Sequence, residues 1–264
     1  MQVMDLVEHY IAEKWQDILV FNNLDTRDKV WALETEWFEK PNYCRGGWSG
    51  VARLELMLPL GGKVGVFLKR QENHMTRSLK HPVAGIATFA KEFNLINKFA
   101  EKDIPSLDVV CFEQWASQGN QRAFIMTEEL DGYLPLSSDA YKMGGKILHN
   151  KAQQDALFHS LADLMRRMHD NHFKHNCFYP NHVFAKQIGN GQFKLKVIDL
   201  EKVKKVWFKE SAAIRDLSSF CRHASSWSTE DKQALVAIYL QEPPGRRADR
   251  LWKKVSARIN KKMG

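Results

Sequence analysis

Two separate groups of side chains in this 264-residue chain have the types and spacing needed to hold a phosphorylated ligand. The first begins with Gly46, Gly47 and Gly50, in the stretch Arg45-Gly46-Gly47-Trp48-Ser49-Gly50. Glycines there let backbone N–H groups approach a phosphate chain that side chains would obstruct. The group continues with Lys69, which ends the apolar run Val64, Val66, Phe67, Leu68. A lysine ending a buried strand is costly unless its ammonium meets an anion. Glu92, in the helix-like run Phe89 to Ile96, is spaced to return to it. The second group lies between His169 and Glu201. His175, Asn176 and Cys177 form a short loop, His182 follows, and Asp199 stands at the tip of a strand marked by Phe193, Leu195 and Val197 after the turn residues Gly189, Asn190 and Gly191. Such an aspartate either holds a divalent cation or caps the next turn. Taken singly, the glycines are also plain hairpin residues and Lys69 and Glu92 two surface charges. Their order along the chain is what points to a site.

The elements that must position these residues are legible from periodicity. Leu54, Leu56 and Leu58 alternate after the glycine turn, and Gly61-Gly62 turns the chain into the strand that ends at Lys69. Residues 107–117 and 121–127 are expected to be strands, followed by a polar, hinge-like Glu128-Glu129-Leu130-Asp131-Gly132. Leu157, Leu161, Leu164, Met165 and Met168 predict a long helix over Gln154–His169, and further helices are predicted over Ala212–Ala224 and Thr229–Leu240. Arg215-Asp216 on the first of these is either an internal ion pair anchoring the His175 loop or a surface pair. Val3, Leu6, Val7, Tyr10, Ile11 and Trp15 predict an amphipathic helix over residues 1–20 that packs on the body of the protein or meets a membrane surface. Pro41 is expected to mark a boundary.

A hydrophobic content of 44% supports a substantial core, and no run of 18 apolar residues occurs. Asp5 and Glu8 interrupt the N-terminal segment where a secretory signal would be apolar, so a cytoplasmic location is expected. Cys44, Cys111, Cys177 and Cys221 lack the paired spacing of a zinc site and are expected to be reduced thiols. The net charge of +8 is concentrated between Arg246 and Gly264, where eight basic residues face the single acid Asp249. This basic, helical tail suits anionic lipid headgroups or phosphates, or is a solvated terminal helix. No module with interleaved aromatics accompanies it, so no specific nucleic acid partner is expected.

With YCRGGWSGVARLEL, VFLKR, KEFNLINKF, FIMTEELDG, HNCFYPNHVF and KVIDLEK in this order, the chain resembles the bacterial lipopolysaccharide kinase family and, within it, the InaA-like branch. These core-sugar (Kdo and heptose) kinases are related to protein kinases. The resemblance spans about residues 43–240. It implies an α+β, bilobal, protein-kinase-like fold, with an N-terminal helical extension (1–42), an antiparallel β N-lobe (43–132), a helical C-lobe (133–240) and a basic tail (241–264). It also implies transfer of the ATP γ-phosphate to a sugar hydroxyl of the lipopolysaccharide inner core, with Mg2+, on the cytoplasmic side of the inner membrane or peripheral to it. Carried over residue by residue, Gly46, Gly47 and Gly50 would cover the phosphates, Lys69 held by Glu92 would bind them, and the backbone of Glu128, Glu129 and Leu130 would meet adenine. His182 and Asp199 would serve the metal; His182 either ligates it or hydrogen-bonds the loop. The departure is Cys177, which stands where active members have an aspartate that orients the acceptor hydroxyl. A thiol does not do this as a carboxylate does, so the alternative is a pseudokinase or a nucleotide- or glycolipid-binding module in envelope biosynthesis or stress response.

Overall fold

The computed structural model describes residues 7–44, 46–76 and 85–263. The chain divides into two compact units, residues 1–97 with 107–131, and residues 98–106 with 132–264.

The first unit contains, in chain order, β1 (His9–Ile11), α1 (Gln16–Phe21), α2 (Arg27–Ala32), β2 (Glu39–Cys44), β3 (Gly47–Met57), β4 (Lys63–Glu72), the short ladder of β5 (Met75–Thr76) with β6 (Ile86–Ala87), α3 (Thr88–Ala100), which runs on into the second unit, β7 (Val109–Ser117) and β8 (Asn120–Glu128). Six strands form one antiparallel sheet in the order β1-β7-β8-β4-β3-β2. Strand alternation sorts β4 cleanly between the two faces. Val66 and Leu68 enter a core with Trp15, Leu19, Leu24 and Val30 from the N-terminal segment, whereas Lys69 and Gln71 point to the other face. Arg70 shares the face of Leu68 and is buried there. Its guanidinium donates to the carbonyls of Trp31 and Leu33 and to Thr35 Oγ1, and lies 5.1 Å from the Trp37 ring centre.

The helix expected over residues 1–20 is not formed as such. Val3 and Leu6 lie outside the described residues, and His9–Ile11 is a strand paired with β7 in the register Tyr10↔Phe112. An open sheet edge offers unpaired backbone groups to a short aromatic and β-branched stretch, and helix begins only after it, as a 3-10 turn over Glu13–Trp15 that leads into α1. Pro41 is not a boundary but lies inside the edge strand β2, where the ladder register shifts between Glu39 and Asn42. An edge position tolerates its missing N–H.

The second unit contains β9 (Leu134–Pro135), α4 (Lys151–Asp170), β10 (Phe173–Lys174), β11 (Val183–Ile188), β12 (Gln192–Val197), β13 (Lys204–Lys205), α5 (Lys209–His223), α6 (Thr229–Leu240) and α7 (Arg246–Met263). Its strands form a three-stranded sheet, β12-β11-β9, and a β10–β13 ladder. Leu157, Leu161, Leu164, Met165 and Met168 are buried along α4, whose start is capped by the Asn150 side chain accepting from the Gln153 amide. A reciprocal Ser228–Asp231 capping box opens α6. The basic C-terminal stretch is α7, which buries Ala248, Leu251 and Val255 and accepts a hydrogen bond from Ser218 of α5 at the Val255 carbonyl. Among the described residues no helix is long and apolar enough to cross a membrane.

Candidate functional site

In the first unit, Lys69 Nζ donates to Glu92 Oε1 at 2.7 Å, with side-chain exposures of 19% and 4%. The pair is supported by the neighbouring Gln71, two residues on along the same face of β4. Its carboxamide oxygen accepts from the Phe89 amide in the first turn of α3, and its nitrogen donates to the His74 carbonyl. Holding that turn against β4 sets Glu92, about one helical turn further on, opposite Lys69. Gln71 is a positioning residue that no pattern in the sequence singles out.

The glycines have structural reasons of their own. Gly46 adopts a φ of +80°, which favours glycine at the β2–β3 turn. A Cβ at Gly47 would lie 2.0 Å from the Glu72 carbonyl oxygen, and one at Gly50 2.5 Å from the Trp37 ring. The close approach at Gly47 and Gly50 is therefore to the protein itself. Near the end of β8, the amides of Glu128 and Glu129 donate to the carbonyls of Asp108 and Gly65 and are not available to a base edge. Their side chains are also engaged, Glu128 by Lys14 and Glu129 by Nε and Nη2 of Arg53 at 2.8 and 2.7 Å. Leu130 follows in irregular backbone.

In the second unit, the loop that carries Cys177 is built on Asp216, whose carboxylate is fully buried in α5. It accepts from the amide of His175 at 2.7 Å, from the amide of Asn176 at 2.9 Å and from His169 Nε2 at 3.2 Å. Tyr239 lies 3.0 Å from the other nitrogen of His169. Arg215 does not pair with Asp216 but donates to the Asn176 carbonyl at 3.1 Å. Both residues thus anchor the loop, by separate hydrogen bonds to its backbone. Asn176 turns the chain with a φ of +68°, a conformation asparagine tolerates, and its side chain donates to the Lys202 carbonyl.

His175 is buried and faces the Ile198 carbonyl, 3.0 Å from Nε2. A carbonyl only accepts, so Nε2 carries the proton. Nδ1 is buried without a hydrogen-bond partner among the described residues. Burial holds this imidazole below its usual range, against the opposing pull of Asp216. By the same reasoning His182, whose Nδ1 is 2.9 Å from the Cys177 carbonyl, is protonated on Nδ1 and presents the Nε2 lone pair. Asp199 Oδ2 lies 3.5 Å from His182 Nδ1, and Asp199 itself is left-handed, with φ 60° and ψ 58°. Aspartate, like asparagine, adopts that region more readily than most residues. Cys177 is buried and its carbonyl is taken by His182; the Tyr179 hydroxyl is shifted upward by burial first and by the neighbouring Cys177 thiol second.

Of the two residues expected to serve a metal, the part-exposed Asp199 carboxylate is the oxygen donor that suits Mg2+, whereas His182 would offer an imidazole nitrogen and turns its protonated Nδ1 toward Asp199. Among the described residues no group of three or more His, Cys, Asp or Glu is arranged to hold a metal alone. An Mg2+ held by the Asp199 carboxylate would keep waters and take its remaining ligands from substrate phosphates.

Comparison with known proteins gives the class first. The structure of a protein described as WaaP in complex with acyl carrier protein superposes with a TM-score of 0.66, covering 97% of this chain and 98% of that one at 19% identity. The fold is thus a protein-kinase-like α+β fold. Residues 28–239 match the model of the Lipopolysaccharide kinase (Kdo/WaaP) family, and the chain belongs to that family. It is also 26% identical over 209 residues to Protein InaA of Escherichia coli (strain K12), covering 79% of this chain and 93% of the relative.

Two outcomes are expected. Asp216→Ala strands the His175 and Asn176 amides and should cost about 3 kcal/mol or more in urea unfolding, whereas Asp170→Ala, at an exposed carboxylate, should stay within about 0.5 kcal/mol. An equally small loss at Asp216 would contradict the anchoring role. Because the folded state holds His175 below its unfolded pKa, the unfolded state binds the extra proton, and stability falls as pH drops through the unfolded value near ~6.5. The stability difference between wild type and His175→Asn should therefore shrink from pH 8 to pH 5.5. A difference constant across that range would show that His175 does not titrate in this way.

Proposed function

We propose that the chain is an ATP- and Mg2+-dependent kinase acting on a sugar hydroxyl of the lipopolysaccharide core. The observation that carries this reading is the Lys69–Glu92 pair, an ammonium held on a buried carboxylate within a family of lipopolysaccharide kinases. Lys69 binds the α- and β-phosphates and Glu92 keeps its ammonium in place. Gly46 contributes the turn over the phosphates, with Gly47 and Gly50 fixing its approach to β4 and Trp37. Adenine is met by the backbone after β8, for which Leu130 remains the candidate of the three residues considered.

Mg2+ supplies neutralisation of the phosphate charge that develops during transfer. Asp199 would hold it through its carboxylate, and His182, whose Nε2 is left free by the hydrogen bond to the Cys177 carbonyl, would be the second residue to serve it. Asp216 and Arg215 fix the loop on which the acceptor is oriented. Since such transfer rests mainly on positioning and electrostatics, absence of a carboxylate at Cys177 slows the reaction without removing its basis. The basic face of α7 brings the chain to the anionic cytoplasmic surface of the inner membrane, where a core glycolipid acceptor is presented.

Cys177 is also the observation that favours a second reading, in which the chain binds nucleotide and core glycolipid without transferring phosphate. The two readings share the nucleotide site.

Calorimetric titration should show ATP binding that requires Mg2+, and Asp199→Ala should remove the Mg2+-dependent part while leaving the protein folded. Unchanged Mg2+-dependent binding in the variant would remove Asp199 from the metal site, and no ATP binding by the wild type at millimolar concentration would overturn both readings.

A further inference from the structure

The Lys204-Lys205-Val206-Trp207-Phe208-Lys209 stretch leads from β13 into α5 and leaves two large aromatic side chains in solvent, Trp207 at 91% and Phe208 at 77% exposure. An ordered segment flanking a helix has no packing reason to present adjacent Trp and Phe to water. They border a cavity of about 960 Å³ whose other lining residues include Lys174, Lys209, Arg215, Lys254 and Arg258. The acid in that lining, Glu210, is already paired with Lys254. On α7, Arg247, Arg250, Lys254 and Arg258 recur at helical spacing, beside the face buried through Leu251 and Val255. Two of these, Lys254 and Arg258, border the cavity. The positive field extends to β13, where Lys205 is shifted downward by burial and by Lys98 and Lys102.

Aromatic side chains bracketed by lysines have the composition of an interfacial anchor. The rings enter the headgroup–acyl boundary, tryptophan above all preferring that depth, while the cations meet anionic headgroups. We propose that Trp207 and Phe208 are a membrane wedge, and that the basic groove between the start of α5 and α7 is its anionic-lipid-binding rim. The occupant is the surface of a bilayer containing anionic phospholipid. Charge complementarity and the exposed aromatic pair favour a bilayer over an acidic protein, which would require the cations but not two adjacent protruding rings. The inference deepens the proposed membrane contact of α7, on which it rests for the presence of an anionic surface. It adds the apolar anchor that a basic helix alone lacks.

The test is co-sedimentation of the full-length protein with vesicles of phosphatidylcholine alone or with 30% phosphatidylglycerol, at about 0.1 M salt. Wild type should bind the anionic vesicles and not the neutral ones. Trp207→Ala/Phe208→Ala changes only exposed side chains, and its retained fold is checked by its unfolding midpoint. It should lose about tenfold or more in partitioning. Arg250→Glu/Arg258→Glu should lose binding as well. Anionic binding that is unchanged in the aromatic variant but lost in the charge variant would overturn the wedge and leave the α7 contact standing. No preference for anionic vesicles in the wild type would overturn both and assign the groove to an acidic protein.

Discussion

The buried Asp216 carboxylate is the constraint on which the second unit's loop depends. Removing a carboxylate from water is expensive, and here the cost is offset by three donors, the amides of His175 and Asn176 and the imidazole of His169. Those hydrogen bonds dictate the loop's shape. Fixing two consecutive amides, together with the left-handed turn at Asn176, determines where Cys177 follows and where its carbonyl points. That carbonyl sets the tautomer of His182, and His182 in turn lies beside the left-handed Asp199. A single carboxylate on α5 therefore determines the protonation and orientation of groups more than 30 residues earlier in the chain.

The first unit solves a similar problem with a different device. A part-buried ammonium on β4 requires a partner, and Glu92 provides it from α3, whose first turn is held against β4 by Gln71 and by the bonds of Thr88 to His74. Side chains two residues apart on one strand face share a direction, so one can fix the helix while the other uses it. On the opposite face, the N-terminal segment covers the sheet with Trp15, Leu19, Leu24 and Val30 and holds Arg70 through backbone carbonyls. This cover is also the reason for Gly50, which leaves room for Trp37.

Sequence reading was informative where periodicity or charge carried the signal. The long apolar stripe of α4, the strand ending before Asp199, the bounds of α6 and the pairing of Lys69 with Glu92 all follow from local pattern and order. It failed at the N-terminus, where a 3.6-residue pattern in Val7, Tyr10 and Ile11 is equally a short strand when a sheet edge stands open to receive it. It read the glycines as ligand clearance or as plain hairpin residues, but could not see that Gly47 and Gly50 are required by Glu72 and Trp37, which only the sheet register brings near. Asp216 was legible as an anchor but not in its manner. Its partners are backbone amides about 40 residues distant, and amides have no sequence signature. Gln71, His169 and Tyr239 were silent for the same reason, since their roles exist only in the packed structure.

Cys177 concentrates the remaining tension between the family and this chain. The proposed phosphoryl-transfer reading draws on the Lys69–Glu92 pair of the first unit and the His182–Asp199 arrangement of the second, whereas the residue at the loop's reactive position is a buried thiol. The direct measurement is transfer of radiolabelled γ-phosphate from ATP to isolated lipopolysaccharide core, comparing wild type, Lys69→Ala and Cys177→Asp. A working kinase site predicts slow transfer by the wild type, its loss in Lys69→Ala, and an increase of roughly 10²-fold or more in Cys177→Asp. Wild-type transfer that persists in Lys69→Ala, or a folded Cys177→Asp that transfers no phosphate, would contradict the account.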